Sequence, residues 1–145
     1  MTIDLINDLL SDLWSYDLVL IGILLSLFVL FYSFITSKRD ELRELSSEIK
    51  IKGTADNPTL KLREHHTSVY ISNMQRFNKR CVWLLLSATI HMALCWVTHR
   101  AVPNSFFQLK AVLFYVAVGT SLAITLLLII QVVLIYRQYK AYTKI

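Results

Sequence analysis

The 145-residue chain has room for one domain, so 1–145 is read as a single unit. Apolar residues make up 55% of it and charged residues 17%, against roughly 45–50% and about 25% in ordinary soluble domains. That balance excludes a typical soluble globular protein. The formal net charge of +5 sits in blocks beside apolar stretches, so it speaks of membrane topology, and no nucleic acid partner is expected.

The first sixteen residues have a helical pattern. Ile3, Ile6, Leu9, Leu10, Leu13 and Trp14 fall on one face, and Asp4, Asp8 and Asp12, four apart, on another. This predicts an amphipathic helix over 1–16 lying on the outer surface, its acidic face suited to protein more than to anionic lipid. The first apolar block, 18–36, carries no charge and is 19 residues long, enough to cross a hydrocarbon core of about 30 Å. An acidic flank precedes it, unlike the basic start of a signal peptide. Gly22, Ser26 and Ser33 form a small-residue face on this span, which predicts close helix packing.

Segment 37–80 reads as a cytoplasmic helical hairpin. Leu42, Leu45 and Ile49 mark one face of a helix that continues the first span, with Glu41, Glu44 and Glu48 interleaved among bases. Gly53 and Asn57-Pro58 break the chain, and proline at a first helical position starts the return arm. Val69, Tyr70, Met74, Phe77 and Cys81 then recur at three- and four-residue steps into the second span, 81–98. The adjacent His65 and His66 point about 100° apart on a helix, which makes them surface residues and no metal pair. The third span, 111–136, is the longest, and 137–145 is a basic tail.

Charge orients the spans. Lys38, Arg39, Arg43, Lys50, Lys52, Lys61, Arg63, Arg76, Lys79 and Arg80 lie between the first two. Arg137, Lys140 and Lys144 follow the third, and only Arg100 and Lys110 lie between the second and third. Thirteen of fifteen bases on one side make that side cytoplasmic, with the N-terminus outside. Trp14, Tyr16, Trp96, Phe106 and Phe107 mark the outer interface, and Tyr32, Phe34, Phe77, Trp83, Tyr136 and Tyr139 the inner one. The expected fold is all-α: a three-transmembrane-helix membrane protein with a cytoplasmic helical hairpin extending the first two spans and an N-terminal amphipathic helix.

The basic helix after the first span (FITSKRDELREL), the basic lead-in to the second (MQRFNKRCVWLLLSA) and the basic close of the third (LIYRQYKAY) resemble a bacterial family of small three-helix inner-membrane proteins. That family is known only as a domain of unknown function. The resemblance implies a multi-pass protein of the bacterial inner (plasma) membrane and no particular activity.

Polar residues inside the spans are the candidate site. His91 lies mid-span, where an ionisable group is costly and by default functional. Ser87, His91 and Cys95, four apart, make a narrow polar stripe suited to a pore lining or a proton relay. The plainer expectation is a neutral histidine bonded to Thr125 on the third span. Thr120 and Gln131, eleven residues apart, are expected on one face of the third helix, as interhelical glue or a pore lining. The acidic residues fall outside the spans, so no buried carboxylate relay is expected.

Cys81 and Cys95 stand fourteen residues apart, about 21 Å along a helix. A disulfide needs alpha carbons within about 7 Å, so both read as packing residues. No zinc spacing, phosphate loop or serine elbow appears, and no metal, cofactor or enzymatic activity is expected. Two functions stand first: an oligomeric pore, ion channel or membrane-perturbing effector, and an accessory or scaffolding subunit of a larger membrane complex. A membrane enzyme using His91 comes third. The expected partners are membrane lipid, further copies of the chain, or other membrane-protein subunits.

Overall fold

The computed structural model describes residues 2–51 and 58–142. Among them are three α-helices and no strand: α1 (Ile3–Ile51), α2 (Pro58–Arg100) and α3 (Phe107–Tyr142), the last preceded by a 3-10 turn at Asn104–Phe106. Each α-helix is long and apolar enough to cross a membrane. The expected break at Gly53 and Asn57 lies outside the described residues, as do Lys52, Lys144 and the side chain of Tyr139. Pro58 does open α2, where its missing N–H costs nothing because a first-turn amide has no intrahelical partner. Pro103 follows the end of α2, placed where it cannot continue the helix.

One expectation is corrected. Segment 1–16 is not a separate helix on the surface, because α1 runs unbroken through it. Ile6 and Leu10 are fully buried, in a cluster with Cys95, Phe114 and Ala117. The apolar face therefore packs on the chain's own second and third helices, while Asp4, Asp8 and Asp12 stay exposed. Nothing between Ile3 and Leu18 favours a break, since the stretch holds neither proline nor glycine.

The chain divides into two compact units, one of Met1–Leu25 and Val82–Ile145 and the other of Ser26–Cys81. In the first, buried positions recur by threes and fours. On α2 they are Leu84, Ala88, His91, Cys95 and Thr98, and on α3 Lys110, Phe114, Ala117, Ser121 and Ile124. A mean step of about 3.5 residues is the period of coiled-coil seams, in which side chains interlock between helices. Two apolar layers result. Ile6, Leu10, Cys95, Phe114 and Ala117 form one, and Leu20, Leu24, Leu84, Ala88 and Ile124 the other.

In the second unit the two arms pair antiparallel. Phe31 stacks on Phe77 at 6.4 Å between ring centroids, and Arg63 Nη2 lies 2.9 Å from Glu41 Oε1. Leu45 is buried as expected, with Leu42 and Ile49 half-buried. On the return arm Thr67, Ile71, Met74 and Phe77 carry the seam. Val69 is exposed, one position out of register with that seam. His65 and His66 are exposed.

Glu41 accepts hydrogen bonds from Lys38 and Arg63, which hold its carboxyl below its ordinary value of 4.5. A carboxylate with a lowered folded-state pKa adds stability above its unfolded value and loses it as pH falls through the folded one. Arg63→Gln should therefore lower stability by about 0.2–1 kcal/mol near neutral pH, the range for exposed pairs. Thermal melts of variant and parent should converge below pH 4.5. A gap of the same size at acidic pH would show that Arg63 acts through packing alone.

Candidate functional site

Between the two apolar layers of the first unit lies a buried polar cluster drawn from all three helices. Asp17 stands seven residues from both Leu10 and Leu24, so the seam that buries those leucines buries it as well. His91 and Cys95 are one helical turn apart on α2 and share its inward face. Asp17 is 0% exposed and His91 3%.

The ring of His91 is held at both nitrogens. Nδ1 lies 2.6 Å from Asp17 Oδ2, and Nε2 lies 2.8 Å from the backbone oxygen of Ala117 on α3. A carbonyl only accepts, so Nε2 carries a hydrogen and donates it. The proton between Nδ1 and Oδ2 then belongs to either partner. With it on the imidazole the pair is an ion pair, and with it on the carboxyl both groups are neutral. Either way the net charge is zero, the arrangement that a low-dielectric interior tolerates best.

The surroundings of the pair are not fully satisfied. Asp17 Oδ1 is buried and has no hydrogen-bond partner among the described residues. Cys95 Sγ lies 3.8 Å from His91 Nε2. One ligand atom each from Asp17, His91 and Cys95 falls within 4.8 Å of the others. The Thr120 hydroxyl lies 3.0 Å from the Ala117 oxygen and 2.9 Å from the Val116 oxygen, so its one proton is shared between the two carbonyls.

Three of the expected polar residues meet at one place. Ser87, His91 and Thr120 line a groove between α2 and α3 whose other walls are apolar, among them Ile90, Leu94 and Leu127. Ser87 donates to the Trp83 oxygen and Thr120 to the Val116 oxygen, both on their own helices. Thr125 is elsewhere. Its hydroxyl lies 2.8 Å from the Tyr16 hydroxyl and donates to the Ser121 oxygen. The expected His91–Thr125 contact is thus replaced by His91–Asp17.

Gln131 is buried at 4% exposure, whereas Thr120 is exposed, although eleven residues on one continuous helix leave the two about 20° apart around it. Eleven residues make three turns at the ideal helical period, but the buried seam of α3 follows the shorter period and runs through Ser121 instead. Gly22, Ser26 and Ser33 are all exposed. A Cβ added at Gly22 meets nothing within 4 Å. Cys81 and Cys95 are buried and form no disulfide with each other.

Asp17 is the residue that sequence reasoning missed, and the expectation of no buried carboxylate is corrected. It stands one position before the apolar run that begins at Leu18, and so reads as part of the acidic flank. The signal was its seven-residue spacing within the series Leu10, Asp17, Leu24. No protein-family model, curated protein or solved structure matches the chain.

Proposed function

We propose that the chain is a non-enzymatic, multi-pass protein of the bacterial inner membrane that self-associates to form an ion-conducting pore. Its N-terminus is outside and its C-terminus cytoplasmic. The observation carrying this reading is the Asp17–His91 pair, buried in the bundle beside a lateral groove that Ser87 and Thr120 supply with hydroxyls. An ionisable pair at membrane depth costs free energy that an apolar pair would avoid, and such pairs mark ion and proton paths. Three helices enclose no aqueous channel alone, so the groove serves conduction where several copies face one another across it.

The exposed face of Gly22 and Ser26 suits helix-to-helix contact between copies. Gly22→Leu should leave the helix content of the chain unchanged, because the added side chain points into open space. The same variant should break the oligomer in detergent sizing and cross-linking, and with it the current across planar bilayers. His91→Gln should assemble normally and conduct differently. An oligomer that assembles and passes no current would leave the second reading, an accessory or scaffolding subunit. That reading is favoured by the antiparallel arms of the second unit, whose charged faces are open to partners. Stoichiometric companion proteins in mild-detergent purification would support it.

A further inference from the structure

We infer that His91 Nε2, Cys95 Sγ and the Ala117 carbonyl oxygen form a binding site for a thiophilic divalent cation such as Zn²⁺, with Asp17 positioning the imidazole. The argument is geometric first. Nε2 and Sγ are 3.8 Å apart, and a tetrahedral zinc ion with ordinary Zn–N and Zn–S bonds holds such a pair about 3.6 Å apart. The Ala117 oxygen is already 2.8 Å from Nε2, on the side the ion would enter. A modest widening of that gap turns a hydrogen bond into two metal bonds.

Asp17 completes a familiar second layer. Metal-bound histidines commonly donate their other ring N–H to a carboxylate, which fixes the tautomer and raises ligand basicity. Here Nδ1 and Asp17 Oδ2 are already 2.6 Å apart. The groove lined by His91, Ser87 and Thr120 provides the way in and room for a fourth, exchangeable ligand.

Charge balances through the exchange. One proton leaves Cys95 Sγ and one leaves His91 Nε2, while the shared proton remains on Nδ1 and is donated to Asp17. Two positive charges depart and two arrive with the ion. The site is neutral before and after, which removes the penalty that a bare divalent ion would meet at this depth.

The test uses the full chain purified in detergent, with Co²⁺ as a coloured probe and Zn²⁺ as competitor. No ion gradient is involved, so the result is independent of whether the assembly conducts. The expected result is one saturable Co²⁺ per chain, a near-ultraviolet thiolate-to-cobalt band that Zn²⁺ abolishes, and about two protons released per ion. Cys95→Ser, which keeps size and polarity, should lose the band, and Cys81→Ser should keep it. Asp17→Asn should keep the band and weaken binding about 10–100-fold. Circular dichroism on each variant separates loss of the site from loss of the fold. A missing band in folded protein, a band that survives Cys95→Ser, or one that disappears with Cys81→Ser would overturn the site. Unchanged affinity in Asp17→Asn would overturn the positioning role.

Discussion

His91→Leu should destabilise the helical bundle by about 3–5 kcal/mol, the range found when one partner of a buried charge pair is removed. Leucine is close to histidine in volume, so packing is largely kept. What is lost is polar satisfaction. Asp17 Oδ2 loses its partner, Oδ1 already has none among the described residues, and the Ala117 oxygen loses the imidazole N–H. Ordinary interhelical hydrogen bonds in membranes average about 0.6 kcal/mol and reach about 1.7. The measured loss therefore decides which kind of contact this is. Unfolding titrations in mixed micelles should place His91→Leu well above that range. Adding Asp17→Ala to His91→Leu should recover much of the loss by removing the stranded carboxylate. A loss under about 1 kcal/mol would make the pair ordinary polar glue.

How far this site was legible from sequence follows from the physics of each residue. His91 announced itself because a histidine inside an apolar run is costly unless something holds it. Asp17 did not, because a carboxyl one position before an apolar run is indistinguishable by composition from a solvated flank. Only the seam separates the two cases, and the seam depends on which helices meet and at what level. The same limit explains Thr125. Depth counted along two isolated spans put it opposite His91, whereas packing brings it to the Tyr16 hydroxyl. The helices themselves were legible: long apolar stretches without breakers admit little else. The continuity of α1 through 1–16 was not, because an amphipathic segment can lie on a surface or pack on protein with one and the same pattern.

Lys110→Ala should cost about 2–4 kcal/mol, and comparison with Lys110→Met should show where the cost arises. In the sequence Lys110 is one of only two bases on the outer side, and nothing there distinguishes it from a topology-setting charge. In the structure it is 1% exposed. Its ammonium donates to the Asn104 side-chain oxygen at 3.1 Å and to the His99 backbone oxygen at 3.5 Å. His99 lies in the last turn of α2, where carbonyls lack intrahelical partners and the helix dipole presents its negative end. A cation there closes the α2–α3 connection and satisfies an orphan acceptor at once. Lys110→Met keeps most of the buried stem and removes the charge, so it should lose only the polar share, about 1–2 kcal/mol. Lys110→Ala also gives up the packing of the stem, at about 0.8 kcal/mol per buried methylene before relaxation. Hydrogen exchange should report the same ordering locally, with amides of the last α2 turn opening more in both variants than in the parent. If both substitutions change stability by less than about 0.5 kcal/mol, the range of ordinary surface replacements, then Lys110 does not hold the connection, and the two helices are joined there by Pro103 and the 3-10 turn alone.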